Sequence, residues 1–362
     1  MQEKGAIELP KKLEEEIFGN QKGFYFTNPE KVKITKNFTE EDLRMYLGTY
    51  FPRSYAESYT IFSELLRIKP IAKAFEKKEK IKILGIGSGT GGELVGAIEA
   101  FFECFPQNKA IFDLHVIDAN PPALKMQKQI LDNLFPRKFL WTKYLEDLKA
   151  ETFFEQIQGK VGDKKFDLIL IWKMLNEILR ELENQKDKRR KFFKGTIRVG
   201  EYFLVNPHGL FILADITDPA SHQGNNTEPE EFIPQIFNKF LRKRIGHKTC
   251  RLKLIFPLSC AFWYYVCSQF EDCFQSRTIS VIHKESKEKP EGVDSSKITY
   301  RVLSCSQFAE EILKEFPKNR PFRLMESNKF GNTNYCERGY LRINLSQEAF
   351  PNPLDAWTGK DI

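Results

Sequence analysis

The sequence predicts an α/β protein built on a doubly wound sheet of five parallel strands, finished by an antiparallel hairpin. Three observations predict it. Strand-like and helix-like segments alternate from residue 81 onward. The first of those strands runs into a glycine-rich turn, ILGIGSGTGGEL over 83–94, that opens a helix. Two later strand-like runs, 278–284 and 298–304, are joined by a polar linker and no helix.

Within the 362 residues, 1–75 read as an N-terminal helical extension, 76–304 as the α/β domain and 305–362 as a C-terminal extension. Thr39 suits a helix cap, with Asp42 three positions on as a shorter stand-in for the usual Glu or Gln. Residues 56–66 carry apolar side chains at helical spacing, and a charged stretch at 76–82 ends this preface. The strand at 81–86 is followed by a helix over 91–104, a strand over 112–118 and a helix over 121–134. FLW at 139–141 makes a short third strand, FDLILIW at 166–172 a strongly apolar fourth, and GLFILAD at 209–215 a fifth. Strands separated by helices are βαβ units, hence a parallel, Rossmann-like sheet covered on both faces.

Composition excludes some classes of function. With no run of about 18 apolar residues, no membrane-spanning helix is expected. The first residues, MQEKGAIELPKKLEEE, are charged where a secretory signal is apolar, so the expected compartment is the cytoplasm. Seven cysteines without such a signal are expected to be reduced thiols. Four of them, Cys250, Cys260, Cys267 and Cys273, cluster. Because the last part of that interval contains FWYYVC, buried thiols are the favoured reading, with a four-thiolate zinc or iron–sulfur site as the other. The formal charge of +7 is concentrated in KDKRRK at 186–191 and LRKRIGHK at 241–248, which are solvated faces or phosphate-binding patches.

The glycine turn carries the chemistry. Glycines there allow tight turning and let a ligand lie against the backbone. The helix N-terminus beyond suits a carboxylate. Gly87, Gly89 and Gly92 satisfy G-x-G-x-x-G, while Gly87, Gly89 and Gly91 satisfy a spaced G-x-G-x-G. Asp118 ends the next strand, where a carboxylate either accepts hydrogen bonds from two ribose hydroxyls or caps the helix beginning NPP at 120–122. A dinucleotide and S-adenosylmethionine both fit these two features.

GIGSGTGG and DANPPALKMQK (118–128) resemble the first motif and the post-strand segment of class I S-adenosylmethionine-dependent methyltransferases. That resemblance implies S-adenosylmethionine as the cofactor. It places Gly87, Ser88 and Gly89 against the methionine end, Asp118 on the ribose, and Asn120, next to Ala119, near the adenine. Glu146 and Asp147 approach the adenine amino group, and Gly85, Gly91 and Trp172 complete the expected set. The family commonly ends its first strand with an acid, and Gly85 stands there instead. The fourth strand delivers WKMLNE (172–177) to the usual acceptor position, making Lys173, Asn176 and Glu177 the catalytic candidates. No Asn/Asp-Pro-Pro-aromatic signature stands there, and no Cys follows strand four or five, which disfavours base N6-amine and cytosine C5 methylation. The basic runs favour RNA over a protein or small molecule as acceptor.

FPRSYAESYTIFSEL (51–65) resembles, with Arg and Pro in reversed order, a segment of the methyltransferase-like assembly factors of the mitochondrial small ribosomal subunit. Those proteins carry an iron–sulfur cysteine cluster before the terminal hairpin. This second resemblance implies an alternative, a non-catalytic RNA-binding assembly factor that keeps the fold.

Overall fold

A computed structural model of the chain describes residues 6–26, 39–182, 185–217, 233–245, 250–263, 277–287, 292–316, 325–327 and 333–335. In chain order the first elements are β1 (Ile7–Glu8), α1 (Lys11–Glu14, continued by a π turn over Glu15–Asn20), α2 (Glu40–Leu66) and α3 (Lys69–Phe75). Next come β2 (Lys80–Ile86), α4 (Gly92–Cys104), β3 (Ile111–Asp118), α5 (Pro121–Leu134) and β4 (Phe139–Leu145). The middle of the chain holds α6 (Phe153–Val161), β5 (Leu168–Trp172), α7 (Leu175–Glu181), α8 (Lys186–Phe203), β6 (Leu210–Ile216) and α9 (Ile233–Ile245). It closes with β7 (Leu252–Phe256), α10 (Leu258–Trp263), β8 (Arg277–Ile282), α11 (Lys284–Lys287), β9 (Asp294–Cys305), α12 (Ser306–Lys314), β10 (Met325–Ser327) and β11 (Thr333–Tyr335).

Two compact units result, one from Met1–Arg67, Ala72–Asp147 and Thr278–Ser296, the other from Ile68–Ile71, Leu148–Arg277 and Lys297–Ile362. In the first, β2, β3 and β4 pair in parallel, with Lys80 opposite Ile111 and Phe112 opposite Phe139. Short β1 pairs in parallel with β8. β2 buries Ile81, Ile83, Leu84 and Ile86, and α4 and α5 bury Leu94, Ile98, Leu124 and Ile130, so an apolar core lies under the glycine turn. β4 extends to Leu145, well beyond the three residues expected, because its outer half is polar and half-exposed and lacks an apolar signature.

In the second unit β5 and β6 are parallel, and β9 lies antiparallel to β6, with Phe211 opposite Leu303. The α/β class and the antiparallel finish are as expected. Two expectations are corrected: the linker between the late strands carries one helical turn, α11, and LKLIF at Leu252–Phe256 forms β7, pairing antiparallel with β9. A five-residue apolar run gives no period to distinguish strand from buried helix. Of the tail segment 335–344, only Tyr335 lies within the described residues. No described helix is long and apolar enough to cross a membrane.

Within the helical preface, the cap at Thr39 and the apolar segment 56–66 belong to one helix, α2. Thr39 Oγ1 accepts from the Asp42 amide at 3.1 Å while Asp42 returns a bond to the Thr39 amide at 3.0 Å, a full capping box. The helix then runs on through Pro52 to Leu66, although a helix-interior proline forfeits a backbone hydrogen bond. Packing against α4 accounts for its persistence. A Cβ placed on Gly92 would lie 2.7 Å from the Phe51 carbonyl oxygen, and one on Gly96 2.4 Å from that of Tyr55. The two backbones therefore meet closely. Ser58 Oγ donates to the Glu93 carbonyl at 2.6 Å, and the hydroxyls of Tyr55 and Tyr59 donate to Glu99 and Glu103. Burial first, then the neighbouring carboxylates, pushes both phenols above their ordinary range. Gly96→Ala is expected to lower stability by about 1–3 kcal/mol, because the obstacle is backbone and cannot rotate away. Equilibrium urea unfolding measures this; an unchanged midpoint would disprove the close approach.

Candidate functional site

The turn after β2 is shaped by alternation. Gly87, Gly89 and Gly91 adopt φ of 69°, 48° and 82°, a region side chains rarely enter. Gly92 is the first residue of α4 and its missing Cβ serves helix packing instead. The backbone thus places all three members of the spaced G-x-G-x-G at positive φ, while Gly92 serves close packing of α4.

Every bond around this turn fixes its shape. The Gly87 amide donates to the Ile117 carbonyl at 2.8 Å, tying the turn to the end of β3, and the Gly91 amide donates to the Ser88 carbonyl at 2.8 Å. The Gly89 peptide is held on both sides. Its N–H donates to Asp118 Oδ2 at 2.8 Å, and its carbonyl accepts from Gln127 Nε2 at 3.2 Å. Gln127, fully buried on α5, in turn accepts from Trp141 Nε1 on β4 at 3.0 Å. A side chain at Gly91 is barred by the same Gln127, whose Cγ would lie 2.6 Å from the added Cβ. From above, the Tyr46 hydroxyl of α2 comes within 3.3 Å of where a Gly89 Cβ would sit.

Asp118 does not cap α5. Asn120 does, its Oδ1 accepting from the Ala123 amide at 2.9 Å ahead of Pro121 and Pro122. Asp118 is left to the turn, with Oδ1 accepting from the Asn120 amide at 2.8 Å. Burial is the largest influence on its carboxyl and pushes it above the ordinary aspartate value, against the opposing pull of the Asn120, Gly89 and Ala119 amides. Two buried polar atoms beside it lack a hydrogen-bond partner, Ser88 Oγ and Asn120 Nδ2. Glu146 and Asp147, half-buried, follow β4, and the Glu146 amide donates to the Asp118 carbonyl at 3.1 Å. The first unit therefore brings Gly85, Gly87, Ser88, Gly89, Gly91, Asp118, Ala119, Asn120, Glu146 and Asp147 to the C-terminal ends of β2, β3 and β4, the end of a parallel sheet where ligands bind.

Trp172, Lys173, Asn176 and Glu177 belong to the second unit. Trp172 ends β5 and is buried. Lys173 follows with φ of 54° and donates its amide to the Ala214 carbonyl at 2.8 Å. A non-glycine residue held there is strained, and such strain clusters at functional sites. Asn176 is buried, its amide donating to Asp215 Oδ2 at 2.8 Å, while its own Oδ1 lacks a partner. Glu177 is exposed. Asp215, wholly buried at the end of β6, orders this turn and was not singled out from sequence. Gln127 and Trp141 were missed likewise. A Gln within an amphipathic helix carries no signal by itself.

Of the four clustered cysteines, Cys267 and Cys273 lie outside the described residues. Cys260 is buried in α10, and burial pushes the Cys250 thiol up to about 11. Among the described residues no group of three or more His, Cys, Asp or Glu is placed to hold a metal ion. The first basic run opens α8, whose Lys186, Arg190, Lys191 and Lys194 are exposed while Phe192, Phe193 and Ile197 are buried. Lys188 and Arg198 pair with Glu151 and Glu155 at 2.8 and 2.9 Å, so part of that charge is neutralised. Of the second run, residues 246–248 lie outside the described set, and Arg244 approaches Glu201 at 3.6 Å.

The residues fit an adenosyl amino acid. Three alternating left-handed glycines carry no side chains, a carboxylate is bonded to the middle one, and the buried Ser88 hydroxyl within the turn lacks a partner. No family model and no curated protein matches the chain. Solved structures it is similar to include the plantazolicin methyltransferase BpumL in complex with a monoazolic desmethylPZN analog and SAH, at 15% identity and a TM-score of 0.37, covering 82% of this chain and 97% of that one. A SAM-dependent methyltransferase from Aquifex aeolicus is 13% identical at a TM-score of 0.30, covering 52% of this chain and 82% of its own. The protein PH0851 is 12% identical at a TM-score of 0.36, with 69% of this chain covering 45% of that chain's length.

Proposed function

We propose that the chain is an S-adenosylmethionine-dependent methyltransferase. One observation carries the reading: the Asp118 carboxylate is hydrogen-bonded at 2.8 Å to Gly89, the middle of three alternating left-handed glycines. A carboxylate thus sits within one bond of a glycine turn at the C-terminal end of parallel strands, the end where ligands bind in such sheets. When bound, S-adenosylmethionine supplies a methyl group activated by its sulfonium. The chain's own residues bind and orient. Asp118 accepts from ribose hydroxyls, the first turn of α4 draws a carboxylate, and Glu146 and Asp147 offer acceptors toward an amino group.

Methyl transfer proceeds largely by positioning a nucleophile in line with the methyl group, and no obligatory general base is required. Asn176 is the strongest of the candidates to meet the acceptor, because its buried Oδ1 lacks a partner and its backbone is fixed by Asp215. The strained Lys173 beside it is the second. RNA is the favoured acceptor, on the exposed cations of α8. Calorimetric titration of the full chain with S-adenosylmethionine and S-adenosylhomocysteine tests the reading, with dissociation constants in the micromolar range expected. Silence with both compounds would remove the enzyme and leave the assembly-factor alternative.

A further inference from the structure

The end of β2 holds a side chain out of place. A Cβ built on Gly85 would fall 2.2 Å from Ser88 Oγ, so the Ser88 hydroxyl fills the volume that a side chain at position 85 would enter. Ser88 is 4% exposed and its Oγ has no hydrogen-bond partner. It lies between Gly87 and Gly89, both at positive φ, and three residues before α4, a helix of 13 residues. A buried hydroxyl without a partner is unfavourable and is retained where something else completes it. The hydroxyl has two acceptor positions and one donor. The positive end of α4 already attracts a ligand carboxylate, whereas the Asp118 carboxylate makes the turn hospitable to a cation.

We propose that Ser88 Oγ is the acceptor for the α-ammonium group of the bound adenosyl amino acid, a task performed by a neutral hydroxyl because Gly85 offers no side chain. This rests on the methyltransferase reading above. A neutral acceptor holds an ammonium less strongly than a carboxylate does, so removing the ligand's amino group costs little more than the one bond.

The test uses three probes on wild type and Ser88→Ala. They are S-adenosylhomocysteine, its deaminated analogue with a butanoate in place of the amino acid, and 5′-methylthioadenosine. Ser88→Ala is expected to weaken S-adenosylhomocysteine about tenfold and the deaminated analogue less than about twofold. The unliganded variant is expected to melt at or above the wild-type temperature, since an unsatisfied group has been removed. Equal weakening of both ligands, or no weakening of S-adenosylhomocysteine, would overturn the assignment while leaving the methyltransferase reading in place. Failure of wild type to bind any of the three would remove both.

Discussion

Asp118→Ala is expected to weaken S-adenosylhomocysteine at least about 100-fold, the loss of two hydrogen bonds to a charged acceptor. The same change leaves the Gly89 and Asn120 amides without their carboxylate partner, so the turn loses its brace as well as its ribose acceptor. Asp118→Asn separates the two effects. It keeps one carbonyl oxygen for an amide but turns an NH2 group toward the other, so its affinity is expected between those of wild type and alanine. The pH dependence follows from the raised carboxyl. A carboxyl whose folded value lies above its unfolded value favours folding in its protonated form. That contribution is present at low pH and is lost as pH rises through the folded value. Ribose hydroxyls donate to the ionised form, so ligand affinity is expected to rise over the same interval. A series of titrations from the ordinary aspartate range, about 3.9, up to neutrality follows it. A wild-type affinity flat across that range, or an alanine variant within about threefold of wild type, would contradict the role given to Asp118.

What was legible in the sequence had a local cause. The turn at 83–94 is readable because only glycine tolerates three alternating positive φ values, so the backbone requirement is written in residue identity. The start of α5 is readable because Asn120 and two prolines make a cap that needs no distant partner. What was illegible depended on residues far apart in sequence. The brace from Trp141 through Gln127 to Gly89 joins β4, α5 and the turn, and each member alone looks like an ordinary amphipathic or surface residue. That α2 continues through Pro52 goes with the close contact at Gly92 and Gly96, a tertiary fact. Ser88 was expected at the methionine end. That it takes the space beside Gly85 required coordinates.

The same lesson gives the second large effect, at Arg53 in the segment PRSYAES. The fold buries Arg53 against Asp294, which is 241 residues away in the chain. Arg53 Nε donates to Asp294 Oδ2 at 2.9 Å and Nη2 to Oδ1 at 2.7 Å, a bidentate pair with 12% and 3% of the side chains exposed. Burial works to lower the basicity of Arg53, but the bonds and charge of Asp294 outweigh it and hold the guanidinium above its ordinary value. Tyr25 accepts from Arg53 Nη2 at 3.1 Å and donates to Asp294 at 3.3 Å. His283 completes the cluster. Its Nδ1 accepts from the Ser286 amide at 3.1 Å, which leaves the proton on Nε2, 3.7 Å from Asp294, and its ring stacks on Phe18 at 5.4 Å. The N-terminal segment, α2 and the β8–β9 connection are thereby joined through one buried carboxylate. Arg53→Ala is expected to cost about 3–5 kcal/mol, since it leaves that carboxylate buried without its cation. Arg53→Lys keeps a charge but loses the planar fork, and a smaller loss is expected. Arg53→Ala/Asp294→Ala removes the stranded charge and is expected to be more stable at pH 7 than Arg53→Ala alone. Urea unfolding of wild type, Arg53→Ala, Asp294→Ala and the double variant, with Arg53→Lys alongside, measures all of this, and additive losses in the double variant would mean that the pair contributes nothing as a pair.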